Sequence, residues 1–266
     1  MSGLAQLRVE AKDRFGKEYG LQFLSFRGSV AHGTYIPSDD PASVDDVDLL
    51  GWAVAPLDCY FGLREYGSRG TRDFKQGRWD VVLYEARKLV GLLAKGNPNV
   101  LCTLFMPAEF VLVQTWAHEL LVLNRGLFLS RQLHAPFVGY AHSQLKRMEH
   151  HASKGYMGAK RKLLLEQHGY DTKNAAHLIR LLRMGIELLE SGELRVCRTG
   201  LDANELVAIK RGDWPLRRVK KAADKLFAEC DEAYERSHLP DRVDRDAVNE
   251  LCIEVVEAAM DEGAHS

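Results

Sequence analysis

Phe26 to Gly51 reads FRGSVAHGTYIPSDDPASVDDVDLLG, and its two ends decide the fold. Upstream, Leu21 to Arg27 is short and aromatic-rich, which predicts a strand stopping at Gly28-Ser29, a pair suited to a tight turn. Downstream, Val47 to Val54 (VDLLGWAV) is a near-continuous apolar run of strand length, preceded by Asp46 and carrying Asp48 near its start. Side chains two apart on a strand point to the same face, so Asp46 and Asp48 are expected to project together while Val47 enters the core. The prolines and aspartates from Tyr35 to Ser43 predict a loop, and Asp39, Asp40 and the nearby Asp45 are read as solvated.

The pattern recurs at Arg78 to Glu85, RWDVVLYE, where Asp80 opens another apolar run. Neighbouring strands would bring Asp80 to Asp46 and Asp48. Three converging carboxylates repel one another unless divalent cations neutralise them. Magnesium, or manganese in its place, suits hard oxygen ligands supplied jointly by carboxylates, water and phosphate. Two such ions about 3.5–4 Å apart stabilise the attacking and departing oxygens of an in-line displacement at phosphorus. Gly28 permits close backbone approach to a triphosphate, and the Ser29 hydroxyl can hydrogen-bond its oxygens. Asp46, Asp48 and Asp80 are therefore the candidate catalytic and metal-binding residues, Gly28 and Ser29 the candidate nucleotide-binding ones, and an NTP the expected substrate.

A Gly-Ser turn, an aspartate-apolar-aspartate strand and a third aspartate on a later strand resemble the nucleotidyltransferase signature of the DNA polymerase beta superfamily. More narrowly, GSVAHGT, DDVDLLG, DVVLYEARKLVGLLAKGNPNVL and GYDTKNAAHLIRLLRMGIELLESGEL resemble the predicted nucleotidyltransferases found beside RNA-repair genes in bacteria and also in phage genomes. The resemblance covers roughly residues 21 to 196. It implies a polymerase-beta-like catalytic domain and magnesium-dependent transfer of a nucleoside monophosphate from an NTP to a hydroxyl, with RNA the favoured acceptor. Two positions depart from the family pattern. Asp45 stands in the place of a serine, after a longer loop from Gly33 to Asp46, and Cys102 follows GNPNVL where an acidic residue is expected.

Beyond Pro107 nearly every strong segment has helical period: Phe137 to Ser153, Gly158 to His168, Thr172 to Ser191, Pro215 to Arg236 and Arg245 to Asp261. Before it, Leu4 to Phe15 predicts an amphipathic helix, and Glu85 to Lys95 another, closed by Gly96 and Asn97-Pro98. Gly62 to Gly77, with Arg64, Arg69, Arg72 and Lys75, is read as a mobile basic loop. The expected fold class is α+β: a nucleotidyltransferase domain with a small mixed sheet over residues 1–107, then a helical domain over 108–266.

The 266 residues carry 36 Lys and Arg against 37 Asp and Glu, which excludes a chain-wide basic coat, so any nucleic-acid contact must come from a local patch. Five scattered cysteines without a C-x-x-C pair predict a reduced chain with no disulfide or zinc framework. Histidines 150 and 151 have no ligand partners at metal-binding spacing. The N-terminus lacks the apolar core of a signal peptide, and no apolar run approaches the roughly 20 residues of a membrane span. A soluble, cytoplasmic protein is expected.

Several residues are candidate substrate contacts. Asn97 lies in GNPN, which is either a helix stop alone or a functional turn. Lys173, His177 and Arg180 recur at steps of three and four and share one helical face, either a solvated stripe or a surface that meets phosphate or acceptor. The basic run Lys154 to Lys162 (KGYMGAKRK), which includes the candidate Lys160, together with Lys146 and Arg147 puts several cations near Tyr156 and is either a solvated junction or an RNA or triphosphate contact. RRVKK at 217–221 is read as an exposed helix face. Two other functions compete with transfer to RNA: a catalytically silent nucleotide- or RNA-binding module, and a protein-modifying nucleotidyltransferase of a toxin–antitoxin pair. Three mutually repelling carboxylates weigh against the first, and the long helical half against the second.

Overall fold

The computed structural model describes residues 2–37, 39–40, 43, 46–149 and 159–264. Its sheet contains β1 (Leu21–Phe26), β2 (Val47–Ala53), β3 (Thr71–Gln76), β4 (Trp79–Glu85) and β5 (Val111–Gln114), in the order β3-β4-β2-β1-β5. β2 and β4 pair in parallel, and the other neighbours are antiparallel. This mixed sheet with its surrounding helices is the expected α+β class. The central parallel pair explains the two apolar runs. Both faces are covered, and Leu49, Trp52, Val81 and Leu83 are all buried. Trp52 donates through Nε1 to Nδ1 of buried His118, whose ring stacks on Phe23. Burial holds the His118 pKa down at about 3, so this imidazole is a neutral core group.

Around the sheet lie α1 (Ser2–Phe15), α2 (Gly28–Ala31), α3 (Leu57–Tyr60), α4 (Ala86–Ala94), α5 (Pro98–Leu101) and α6 (Trp116–Leu123). Further along the chain lie α7 (His134–Glu149), α8 (Ala159–His168), α9 (Thr172–Ser191), α10 (Ala203–Arg211), α11 (Leu216–Arg236) and α12 (Arg245–Ala264). α9 is the hub of this half and packs against α7, α10 and α11. Its ends are set locally: the Asp171 side chain accepts from the Asn174 amide, and Gly192 closes the helix at φ 68°. Gly185 lets α7 come close, since a Cβ there would lie 3.2 Å from the Phe137 side chain. α12 returns to pack on α4 and α6, and one buried apolar cluster extends from Ala11 to Ala259.

Four local expectations change. The supposed loop from Gly62 to Gly77 contains β3, a polar edge strand whose lack of apolar alternation hid it. Gly28-Ser29 opens the short helix α2 instead of a simple turn. The sheet takes β5 from beyond Pro107, where a four-residue strand gives too little periodicity to see. Asp40 is paired with Arg211 of α10, so it is not merely a solvated loop residue. Arg217, Arg218, Lys220 and Lys221 are exposed, as expected for that face. Asp45, His150, His151, Lys154 and Tyr156 lie outside the described residues, as does the side chain of Lys160, whose backbone belongs to α8. Among the described residues no helix is long and apolar enough to cross a membrane.

Candidate active site

The parallel register of β2 and β4 sets Asp48 directly beside Asp80, because each aspartate is the second residue of its strand and Val47 pairs with Trp79. Asp46 lies just ahead of β2. Two cations tie the three carboxylates together. Lys75 Nζ lies 2.9 Å from Asp46 Oδ2 and 3.5 Å from Asp80 Oδ2, and an Arg27 guanidinium nitrogen lies 3.3 Å from Asp80 Oδ1 and 3.9 Å from Asp48 Oδ1. Each cation has a structural reason to be there. Lys75 is the cross-strand partner of Asp80 in the β3–β4 ladder, and Arg27 donates from its amide to Asp48 O at 2.9 Å and from Nε to Leu49 O at 3.3 Å. With these cations interleaved, no three His, Cys, Asp or Glu side chains among the described residues stand at ion-holding spacing.

The three side chains are all carboxylates at one end of the sheet, the oxygen chemistry that a hard divalent ion takes. The adjoining backbone is shaped for close approach. Gly28 sits at φ 61°, and a Cβ there would fall 2.3 Å from Asp48 Oδ2, so no side chain fits. The Ser29 hydroxyl is buried without a hydrogen-bond partner among the described residues. Burial raises the Asp48 pKa, opposed by Arg27 and Lys173 and reinforced by the charges of Asp80 and Asp46.

Arg27, Gly28, Ser29 and Asp48 form one wall of a cavity of about 330 Å³. α9 supplies another, with Lys173, Asn174, His177, Arg180 and Leu181. Lys173, His177 and Arg180 thus line the same cavity as Asp48. Arg180 is buried, and among the described residues no carboxylate is within ion-pair distance of it. Its Nη1 lies 2.7 Å from His32 Nε2, while His32 Nδ1 lies 2.8 Å from Val196 O. The arrangement is that of a neutral imidazole donating to the carbonyl and accepting from the arginine. Burial and then the Arg180 charge hold His32 well below its ordinary pKa, and His177 is depressed by the same causes. Burial also lowers Arg180 itself, to about 10.

Asn97 does not line this cavity. Its side chain caps α5, accepting from the amides of Asn99 and Val100, and its Nδ2 donates to the Tyr140 hydroxyl at 3.0 Å. Asn99 and Cys102 line the cavity instead; the Cys102 thiol donates a hydrogen bond to Pro98 O, and burial pushes its pKa up to about 11. α7 adds Tyr140, Gln144 and Arg147. Arg27, His32, Lys75, Tyr140 and Gln144 escaped sequence reasoning, whereas Arg147 belonged to the basic patch that the sequence offered. Arg27 adjoins Gly28 and could have been suspected; Lys75 needed the β3 strand, and the α7 residues needed the helix pairing.

The model of a family described as RlaP, the RNA repair pathway DNA polymerase beta family, matches residues 7–254. No curated protein matches the chain significantly.

Proposed function

Since the chain belongs to the RNA repair pathway DNA polymerase beta family, we propose that it is a nucleotidyltransferase moving a nucleoside monophosphate from an NTP to a hydroxyl of RNA. The observation that carries this reading is one cavity lined by Asp48, which pairs in register with Asp80, and by a buried arginine that has no carboxylate at ion-pair distance among the described residues. Such a pairing of charges suits a triphosphate whose negative charge must be met from two sides. Asp46, Asp48 and Asp80 would hold magnesium, or manganese, which when bound supplies positive charge between carboxylates and phosphates.

The residues of the chain do the rest. Gly28 lets the backbone approach the triphosphate, and the unpartnered Ser29 hydroxyl donates to one of its oxygens. Lys173 and Arg180 neutralise phosphate charge from α9, with His32 fixing the orientation of Arg180. The acceptor hydroxyl oxygen bonds to the α-phosphorus as the bond to the bridging oxygen breaks and pyrophosphate departs. In this reading Asp80 takes the hydroxyl proton.

Incubation with each α-labelled NTP, magnesium and total cellular RNA or lysate tests the reading. Label entering RNA is the expected result. Label entering protein would replace the acceptor class, and no transfer in any combination would overturn the reading.

A further inference from the structure

The α7 side of the cavity is unused by the triphosphate chemistry. Tyr140 and Gln144 are one helical turn apart on α7 and so share a face. Gln144 is 9 % exposed, and its Oε1 is buried with no hydrogen-bond partner among the described residues. A buried carbonyl without a donor carries a desolvation cost that a ligand N–H would remove. The Tyr140 ring is partly exposed, and Asn97, itself held as the cap of α5, donates to its hydroxyl at 3.0 Å. The GNPN turn thus orients an aromatic face at the cavity rim, which makes Asn97 a positioning residue.

We propose that this face is the nucleobase subsite for the incoming nucleotide and that adenine is the base it fits; the inference rests on the nucleotidyltransferase reading. Tyr140 stacks on the base, an interaction open to any base. Gln144 supplies the discrimination: its carboxamide oxygen accepts from the exocyclic amine and its NH2 donates to the adjacent ring nitrogen, the bidentate pairing by which glutamine reads adenine. The incoming nucleotide is favoured over the acceptor because the same cavity contains Gly28, Ser29 and Asp48.

Equilibrium titrations in magnesium with ATP, CTP, GTP, UTP, purine riboside triphosphate and inorganic tripolyphosphate test the assignment. ATP should bind the tightest, and loss of the exocyclic amine in purine riboside triphosphate should weaken binding about tenfold. Gln144→Ala should remove the difference between ATP and that analogue, while Tyr140→Ala should weaken all four nucleotides about equally and Tyr140→Phe much less. Should Gln144→Ala fail to fold, the analogue comparison on the unaltered protein decides. Equal binding of ATP and the analogue, or preference for another base, overturns the adenine subsite while leaving triphosphate recognition standing. Failure of every nucleotide and of tripolyphosphate to bind overturns both.

Discussion

Arg180 and Arg183 stand three residues apart on α9 and live in opposite electrostatic worlds. Arg183 is paired with Asp202 at 2.8 Å and Glu205 at 3.0 Å, on the side of α9 where Arg198 also binds Asp202 and Glu187. Arg180 faces the cavity with a neutral imidazole and the Met184 sulfur as its hydrogen-bond partners. A buried cation without a carboxylate is costly unless an anion completes it. Arg183 therefore closes the fold, and Arg180 is the one for which an anionic ligand is proposed. The sheet wall shows the converse arrangement. Its aspartates are held by Arg27 and Lys75, and the exposed Lys75–Asp46 pair is the weak one, readily exchanged for another cation.

The largest expected effect tests the acidic wall. Asp80→Ala should lower transfer on the order of a thousandfold or more, with circular dichroism unchanged, because its carboxylate serves the ion and the proton. Activity within a few-fold of the parent would remove Asp80 from the catalytic set.

Next comes pH, which separates the buried imidazoles from the carboxylates. His118 has a folded pKa of about 3 against an ordinary 6.5, and His32 and His177 are also depressed. A depressed histidine leaves the unfolded chain binding more protons in that window. Its stabilisation is present above pH 6.5 and lost progressively as pH falls toward about 3. Between pH 6.5 and 4, His118 alone should account for a loss on the order of 3 kcal/mol, read from chemical-denaturation midpoints. A flat profile across that range would contradict the neutral-imidazole assignment.

Arg180→Met should weaken NTP binding by roughly 10- to 100-fold, and this loss should change little with salt because the site is buried. Arg183→Met, by contrast, should lower the melting temperature and leave NTP affinity near the parent value. If the two variants behaved alike, the contrast between the two arginines would fail. The smallest effect belongs to Lys173→Ala, about fivefold in NTP or acceptor affinity and shrinking at high salt. Unchanged affinity for both ligands would reduce Lys173 to an electrostatic neighbour of Asp48.

Much of the acidic wall was legible in the sequence because its determinants are local. Period-two alternation places Asp46 and Asp48 on one face, Gly28-Ser29 ends a strand, and Asp80 opens an apolar run of the same kind. Helical period likewise grouped Lys173, His177 and Arg180, and Asp171 and Gly192 marked the limits of their helix. Other decisions belonged to the tertiary structure. The β2–β4 register that sets Asp48 against Asp80 depends on long-range pairing, and Lys75 entered the site only because a polar edge strand paired with β4. Periodicity says which residues share a helical face but not which way that face turns. That was decided by packing: α7 and α9 meet closely at Phe137 and Gly185, and residues of both helices line one cavity. Local spacing is written in consecutive residues; register and helix rotation are settled only when distant surfaces meet.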